Sequence, residues 1–333
     1  MTGERFVLLG LAPARSEWFR EVAGWATAAA IPAAFVKCVS AAELRARLAS
    51  GRLFSAALLD ARLPAADRDL MAAVREAGCV PIVVGDGRGR DWLGLGACAV
   101  LPATLTADDL VEALYRHAAM VRSGAAVPTI ASPLAPARPP APLVAVCGPG
   151  GTGASAVAIA LAQGLAAAAH DLPVLLADLC LRADQAMLHD ARDVVPGVQE
   201  LVELHRGGRP TVADVHAQTF QVTERGYRLL LGLRRARHWA GLRPRAFEAA
   251  LTSLRQAFDA VVCDVEGDLE GEAAGGSIDV EERNLMARAA ASQAHGVFAV
   301  GRADLSGLHG LVRLVGDLVD HGVPPERIVP VLN

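Results

Sequence analysis

A glycine-rich stretch, GPGGTGAS at 148–155, lies between an apolar run at 143–148 and an alanine-rich run at 156–169. The first run has the length and composition of a buried strand, and the second has those of a helix. A strand, a tight glycine turn and a helix in direct succession form one unit of an α/β sheet. The free backbone N–H groups at the start of such a helix attract phosphate. The stretch therefore predicts an α/β fold with a phosphate-binding loop.

A proline-rich segment separates this loop from the first third of the chain. Residues 123–142 read SGAAVPTIASPLAPARPPAP, with six prolines and no apolar periodicity. Such a composition is typical of an extended, semi-rigid linker. The chain of 333 residues is also too long for one ordinary core. We therefore predict a domain at 1–122, a linker at 123–142 and a second domain at 143–333.

The first domain alternates short apolar runs with helical patterns. Ser40 and Thr106 are each followed three residues later by an acid, Glu43 and Asp109, in the pattern of a capping box that begins a helix. Strands that alternate with helices predict a small, parallel, doubly wound sheet of the flavodoxin-like type. The predicted strands are 5–10, 33–39, 55–60, 81–86 and 98–102.

The second domain shows the same alternation with longer apolar runs. Several of these runs are apolar at every position, as in strands whose two faces are both covered by helices. We predict a mostly parallel, doubly wound sheet that binds ligands at the carboxyl ends of its strands. The predicted strands are 143–148, 173–179, 227–232, 259–265, 296–301 and 328–333.

Two phosphate-binding templates overlap on the glycine stretch, and the first is the dinucleotide fingerprint. Gly148, Gly150 and Gly153 fit G-x-G-x-x-G, and Asp178 ends the next predicted strand, where a ribose-binding acid belongs. This template predicts an NAD(P)-binding enzyme of the Rossmann type. The chain offers little for hydride chemistry, however, because neither of its two tyrosines is followed four residues later by a lysine.

The second template is the P-loop, G-x-x-x-x-G-K-[ST]. Gly148, Gly153 and Ser155 fit it, but Ala154 stands where the lysine belongs. A second apolar run ends in Asp264, the arrangement of a Walker B strand, whose acid holds the Mg²⁺ water shell while the loop hydroxyl ligates the ion. A dinucleotide dehydrogenase has no use for an acid at that position. The distant acid therefore favours the P-loop interpretation.

The chain resembles the MinD/ParA superfamily of deviant Walker ATPases, and within it the CpaE/TadZ branch. That branch joins a degenerate receiver domain to such an ATPase domain, and the resemblance extends to its actinobacterial CpaE-like members, some of which are named septum-site determining proteins. The resemblance implies a spatial regulator or scaffold that positions a pilus, secretion or septum machine. It spans nearly the whole chain and rests on the order and spacing of five segments: 148–155, 174–190, 197–204, 258–267 and 291–315.

The resemblance also implies which residues bind ATP or ADP with Mg²⁺. Ser155 and Asp264 would ligate the ion, the asparagine that ends the last strand would contact the base, and Asp178 is the one candidate for a catalytic role. The implied nucleotide-binding residues are Gly148, Gly150, Gly151, Thr152, Gly153, Ala154, Ser155 and Asn333. The family continues past this asparagine with a further strand or helix, so the second domain is expected to be cut short there.

Three departures from the family pattern predict weak nucleotide binding. The family's two loop lysines fall on Pro149 and Ala154, and the only lysine of the chain, Lys37, lies in the other domain. Cys180 replaces the second acid of the family's D-x-D pair. A charged hydrogen bond contributes about 1.5–3 kcal/mol, so losing the cis lysine is expected to weaken binding roughly ten- to a hundred-fold.

Hydrolysis is expected to suffer more than binding. Most of the catalysis of phosphoryl transfer is the stabilisation of charge on the transferred group, so we expect slow or absent turnover. Two alternatives stay open at this point. One is an active ATPase in which an arginine replaces the P-loop lysine, and the other is the NAD(P)-binding enzyme.

The first domain resembles a response-regulator receiver domain. Asp60 ends its third predicted strand, at the position of the receiver's phosphoacceptor. A receiver also needs an acidic pair after its first strand, but residues 11–16 read LAPARS, and it needs a lysine after its fifth strand, where Ala103 stands. Phosphotransfer to Asp60 would lack its charge stabilisation. We therefore predict a degenerate receiver that serves docking or dimerisation.

Composition limits the class of protein and its partners. The formal net charge is −4, so DNA is not an expected partner. The N-terminus lacks the layout of a signal peptide, no apolar stretch is long enough for a membrane span, and none of the six cysteines forms a C-x-x-C pair. We expect a cytoplasmic homodimer with protein partners in a pilus, secretion or division apparatus, recruited through them to the cell pole or septum.

Overall fold

The structure is a computed structural model that describes residues 5–86, 89–121, 139–168, 172–272 and 275–333. The chain separates into two compact units. Unit 1 comprises Met1–Ala135 with Arg206–Arg209, and unit 2 comprises Pro136–His205 with Pro210–Asn333. Most of the predicted linker at 123–142 lies outside the described residues, so its extended conformation stays a prediction.

Unit 1 is built on a five-stranded parallel sheet with the order β2-β1-β3-β4-β5. This is the strand order of flavodoxin-like folds. The fold class predicted for this part of the chain is therefore confirmed. The strands are β1 (Phe6–Leu11), β2 (Ala33–Cys38), β3 (Ala56–Asp60), β4 (Val80–Val84) and β5 (Ala99–Leu101), and the helices are α1 (Glu17–Thr27), α2 (Ala41–Leu48), α3 (Arg68–Glu76) and α4 (Ala107–His117).

Both faces of this sheet are buried, which explains its continuous apolar strands. Along β1, Val7, Leu9 and Leu11 belong to one buried cluster, while Phe6 and Leu8 belong to the cluster on the opposite face. Successive side chains of a strand point to opposite faces, so a strand covered on both sides is apolar at every position.

The predicted helix starts also hold in unit 1. Thr106 and Asp109 form a reciprocal capping box at the start of α4. Ser40 accepts a hydrogen bond from the Glu43 N–H at the start of α2, but the Glu43 carboxylate accepts from the N–H of Val39 rather than from that of Ser40. The second helix therefore begins at the predicted residue with a modified cap.

Unit 2 is built on a seven-stranded sheet with the order β12-β11-β6-β10-β7-β9-β8. All pairs are parallel except β8 with β9, so the sheet is mostly parallel, as predicted. The predictions omitted β8, a three-residue antiparallel edge strand. The strands are β6 (Leu143–Cys147), β7 (Val174–Asp178), β8 (Phe220–Val222), β9 (Tyr227–Leu230), β10 (Ala260–Asp264), β11 (Gly296–Gly301) and β12 (Ile328–Leu332).

Helices cover both faces of this sheet. Leu175 and Ala177 of β7 belong to one buried cluster, and Val174 and Leu176 belong to the cluster on the other face. No helix among the described residues is long and apolar enough to cross a membrane. The helices are α5 (Ala154–Ala168), α6 (Gln185–Leu188), α7 (Val198–Gly207), α8 (Val212–Ala217), α9 (Pro244–Ala257), α10 (Ile278–Arg283), α11 (Leu285–Gln293) and α12 (Leu305–Asp320).

Candidate functional site

The glycine stretch forms the turn between β6 and α5, and its backbone explains the glycines. Gly151 has φ +80° and Gly153 has φ +84°, in the left-handed region that favours glycine. A Cβ on Gly148 would approach the Val300 carbonyl oxygen to 2.7 Å and would overlap Thr152 Oγ1. The loop therefore needs glycine at these positions to turn sharply into the helix.

Asn333 lies at this loop, although it is far away in sequence. Its Nδ2 donates a hydrogen bond to the Thr152 carbonyl oxygen at 3.0 Å, and its backbone N–H donates to the Gly301 carbonyl at 2.9 Å. A Cβ on Gly153 would overlap the same Nδ2 atom. The structure thus brings this predicted residue against the glycine loop, and its role in contacting a base stays a prediction.

We expect Gly153→Ala to lower the free energy of unfolding of unit 2 by about 1–3 kcal/mol, because alanine is strained at this φ. The added methyl group must also displace the Asn333 amide. Gly150→Ala is the matched control, since Gly150 is exposed and a Cβ there would meet nothing within 4 Å. Urea unfolding of the full chain measures both variants, and equal stability of the two would contradict this account of the loop.

Asp264 stands at the carboxyl end of β10, beside the start of α5. Its strand lies between β6 and β7, with Asp264 in register with Val146 on one side and with Asp178 on the other. The Ser155 side chain lies close enough to the Asp264 carboxylate to lower its pKa, and Asp264 Oδ2 accepts a hydrogen bond from Gln185 Nε2 at 2.6 Å. The loop hydroxyl and the strand-end acid are therefore neighbours.

Asp178 is completely buried and already has partners in its own loop. Its two carboxylate oxygens accept the N–H of Cys180 at 3.2 Å and the N–H of Gln185 at 3.0 Å. Burial and the nearby Asp264 raise the pKa of Asp178 to about 8. A protonated acid held by backbone donors is poorly suited to act as a base toward a substrate.

Burial also raises the pKa of Asp264, and the nearby Asp184 raises it further. The hydrogen bond from Gln185 and the proximity of Ser155 and Cys180 act in the opposite direction without cancelling the effect of burial. Two buried carboxyls at the ends of adjacent strands therefore disfavour each other's charge. A cation at this edge of the sheet would stabilise both in their ionised forms.

The loop and the two strand ends line a pocket of about 830 Å³. Acids dominate its charged lining, and the one basic residue among the described lining residues is Arg182. The backbone N–H of Arg182 donates a hydrogen bond to Glu266 Oε1 at 3.1 Å. A polyanion would meet net repulsion here unless it arrives with a cation. The acidic lining residues are Asp184, Asp264, Glu266, Asp268 and Asp317.

The strand order bears on the two phosphate-binding templates. In the dinucleotide-binding order 3-2-1-4-5-6, the second strand lies directly beside the first. Here β10 lies between β6 and β7. The acid predicted to bind a ribose, Asp178, is thus one strand further from the loop than that template requires. The order places Asp264 beside the glycine loop, as the P-loop template expects.

Gln185 belongs to this site, although the sequence alone did not single it out. It is fully buried, and its amide group contacts Asp264 while its N–H binds Asp178. The residue begins the short helix α6, seven residues after the end of β7. A glutamine in a helix has no sequence signature of this role, because only the strand order brings the two acids to it.

Asp60 of unit 1 forms a separate, closed arrangement. Its Oδ2 accepts from Trp18 Nε1 at 2.9 Å, Arg62 Nη2 at 2.8 Å and Ser16 Oγ at 3.2 Å. Its Oδ1 accepts from the Arg62 Nε at 2.9 Å and backbone N–H at 3.0 Å. Only 1% of the residue is exposed. These donors occupy the oxygen positions that a phosphoacceptor would present to a metal ion and a phosphoryl group.

Comparison with solved structures finds several α/β proteins. A ParA family ATPase from Chlorobium tepidum TLS gives a TM-score of 0.47 at 15% identity, over 58% of this chain and 73% of that one. The Pyrococcus furiosus cell division ATPase MinD gives 0.42 at 18% identity, over 57% and 70%. The kinase domain of the Escherichia coli tyrosine kinase ETK gives 0.41 at 17% identity, over 58% and 67%. No protein-family model and no curated protein sequence matches the chain. At these identities the likeness concerns the fold alone.

Proposed function

We propose that this protein is a spatial regulator or scaffold of the CpaE/TadZ/MinD type with a weakened nucleotide site. The observation that carries the proposal is the placement of Asp264 beside the glycine loop, with the Ser155 side chain at the start of α5 near enough to lower the pKa of its carboxyl. These two oxygen ligands fit the Mg²⁺ ion of a bound Mg²⁺-nucleotide, and the ion would neutralise phosphate charge. The backbone N–H groups of the loop would hold the phosphates.

The proposal includes low affinity because two positive charges are missing from the loop. Pro149 and Ala154 occupy the lysine positions of the family pattern, and the pocket lining is acidic apart from Arg182. Backbone donors attract phosphate without a formal charge. Binding then depends strongly on Mg²⁺, because the ion must offset the acidic lining as well as the charge of the phosphates.

Slow or absent hydrolysis follows from the same residues. Cys180 stands where the family pattern has the acid that positions the attacking water, and Asp178 is occupied by backbone donors. Without a lysine on the phosphates or an acid on the water, the developing charge has little stabilisation. The protein would hold a nucleotide rather than cycle through it.

In this proposal the chain acts as a homodimer in the cytoplasm. It docks to protein partners of a pilus, secretion or septum machine and is recruited through them to the pole or septum. Unit 1 serves as a docking or dimerisation module rather than as a phosphorylated receiver. The closed arrangement around Asp60 supports that part of the proposal, because no carboxylate oxygen is free for phosphotransfer.

Calorimetry of the purified full chain tests the nucleotide site. We expect weak binding of ATP and ADP with Mg²⁺, roughly ten- to a hundred-fold weaker than in a lysine-bearing loop. Binding should disappear when EDTA removes Mg²⁺ and in the variant Asp264→Asn. NADH and NADPH should not bind. Tight NAD(P) binding, or nucleotide binding that is indifferent to Mg²⁺ and to Asp264→Asn, would contradict the proposal.

An active ATPase is the second candidate, and one observation favours it. Arg182 lines the same pocket as the phosphate loop and could place its guanidinium on a bound phosphate. Under this alternative the chain turns over ATP at a rate typical of ParA-like ATPases, and Arg182→Ala abolishes the turnover. Our proposal instead expects a low rate that Arg182→Ala does not change. A steady-state phosphate-release assay separates the two.

A further inference from the structure

Three metal-ligating side chains meet at the carboxyl edge of the unit 2 sheet. One ligand atom each from Asp178, Cys180 and Asp264 lies within 4.8 Å of the others, and all three residues are buried. Asp178 and Asp264 end the paired strands β7 and β10, and Cys180 follows two residues later. Strand pairing therefore fixes two of the three ligands, and a short loop that is hydrogen-bonded to Asp178 holds the third.

A second observation points to a missing ligand at this cluster. Asp264 Oδ1 and Gln185 Oε1 are buried and have no hydrogen-bond partner among the described residues. Both residues are at least nine-tenths buried, and Gln185 Nε2 donates to Asp264 Oδ2, so its amide oxygen is held beside the cluster. Buried polar oxygens without a partner are costly and rare in native proteins.

The charge of the two buried acids is a third indication of a bound cation. Neither Asp178 nor Asp264 forms an ion pair with any described residue, although both are buried at neighbouring strand ends. Buried carboxylates are normally paired with a cation or coordinate a metal. The cluster also has access to solvent, because Cys180 and Asp264 line the pocket of the phosphate loop.

We propose that Asp178, Cys180 and Asp264 bind a thiophilic divalent cation of the Zn²⁺ class. Zn²⁺ takes thiolate and carboxylate ligands in a four-coordinate site, and Gln185 Oε1 or a water molecule supplies the fourth ligand. The Cys180 thiol and the protonated Asp178 carboxyl both lose their protons to solvent when the cation binds. Mg²⁺ is disfavoured, because it prefers oxygen ligands in octahedral geometry.

This cation would also serve the nucleotide site, a consequence that rests on the proposed function. It would add two positive charges to the pocket whose loop carries Pro149 and Ala154 in place of lysines. The metal site shares Asp264 with the proposed Mg²⁺ position, but it does not depend on nucleotide, because Asp178 and Cys180 belong neither to that position nor to the loop. A test without nucleotide therefore distinguishes failure of the metal site from failure of the proposed nucleotide binding.

Co²⁺ titration of the untagged, chelator-treated full chain tests the site in the absence of nucleotide. Cobalt replaces zinc and reports its ligands by its absorption. We expect saturation at one equivalent, intense visible bands of a tetrahedral ion and a thiolate-to-cobalt charge-transfer band in the near ultraviolet. Zn²⁺ should abolish these bands, and a large excess of Mg²⁺ should leave them unchanged.

Matched cysteine variants show whether Cys180 is the ligand. Cys180→Ser should remove the charge-transfer band and weaken Zn²⁺ binding by more than the roughly ten- to hundred-fold that loss of an outer-shell partner typically costs. Cys147→Ala is the control, since Cys147 ends the neighbouring strand β6 but is not part of the cluster, and it should keep the band. If Cys180→Ser does not fold, a second measurement on the unaltered chain still tests the site. Its Tm should rise with Zn²⁺ but not with Mg²⁺.

Four results would overturn the inference, three from the cobalt spectra and one from the Tm. The three are a cobalt spectrum without a charge-transfer band, a band that survives in folded Cys180→Ser, and displacement of Co²⁺ by Mg²⁺ as readily as by Zn²⁺. A Tm that rises equally with both ions would do the same. The first two would show that no thiolate ligates the ion, and the last two would show that the site does not prefer a thiophilic ion.

Discussion

Replacing Ala154 with lysine is expected to strengthen binding of Mg²⁺-ATP roughly ten- to a hundred-fold. The physical reason is the charged hydrogen bond that a loop lysine makes to the β- and γ-phosphates, which contributes about 1.5–3 kcal/mol. Ala154 is the first residue of α5 and lines the pocket with the glycine loop. A lysine there would start from the position that the P-loop template assigns to it.

Calorimetry of the full chain with Mg²⁺-ATP measures the change, and Ala167→Lys is its matched control. Ala167 is exposed near the other end of the same helix, so the control adds the same charge to the same element away from the pocket. Affinity that rises equally in both variants would indicate a general effect of net charge. Affinity that rises in neither would mean that residues 148–155 do not hold the phosphates.

Hydrolysis should not return with the lysine. The acid that positions the attacking water in the family pattern is replaced by Cys180, and Asp178 keeps its backbone donors whatever stands at position 154. Tighter binding without turnover is therefore the expected outcome of Ala154→Lys. This split separates the effect of the missing lysine at position 154, which concerns binding, from that of the missing acid at position 180, which concerns hydrolysis.

The sequence predicted the fold class because burial on both faces leaves a clear signature. Runs such as 174–178 and 260–264 are almost entirely apolar, and they form β7 and β10 between neighbouring strands. β8 escaped prediction because it has three residues and one partner, so no periodicity could develop.

The site was only partly predictable for a different reason. Glycine spacing and the strand-end acid Asp264 are local patterns, so the sequence displays them. The order in which strands join the sheet is not local, and it alone places Asp264 between the loop and Asp178 and brings Gln185 against both acids. The buried oxygens without a hydrogen-bond partner, Asp264 Oδ1 and Gln185 Oε1, could be found only in the three-dimensional structure.

The receiver position shows the same division between local and distant information. The missing acidic pair and the missing lysine are visible in the sequence, and together they predict that phosphotransfer to Asp60 lacks its charge stabilisation. The donors that replace them are less visible. Arg62 is close enough in sequence to suspect, but the contact from Trp18 depends on the packing of α1 beside β3.

Asp60→Asn is expected to lower the free energy of unfolding of unit 1 by about 1–3 kcal/mol. The substitution removes the charge that receives the buried Trp18 N–H and puts an amide against the donors of Arg62. A buried donor left unsatisfied costs about that amount. The ion pair itself adds little to the expected loss, because the Arg62 side chain is 59% exposed and screened by water.

Urea unfolding of the full chain, followed by tryptophan fluorescence, measures this loss. Trp18, Trp25 and Trp92 lie in unit 1, and Trp239 is the single tryptophan of unit 2, so the signal reports mainly on unit 1. Asp108→Asn is the control, because it makes the same change at an exposed acid of α4. Equal losses in the two variants would show that the contacts of Asp60 contribute nothing specific.

The pH dependence gives this prediction a second, independent readout. Burial raises the pKa of Asp60, but hydrogen bonds from Arg62 and Trp18 outweigh it and hold the pKa below its ordinary value. In the unfolded chain the pKa of an aspartate is about 3.9. The unfolded state therefore binds the proton first as the pH falls, and the stabilisation is complete above that pKa and lost as the pH passes through the folded one. The difference in the free energy of unfolding between the unaltered chain and Asp60→Asn should stay constant near neutral pH and shrink below about pH 4. A difference that instead grows in acid would mean that the protonated form of Asp60 is the one that unit 1 stabilises.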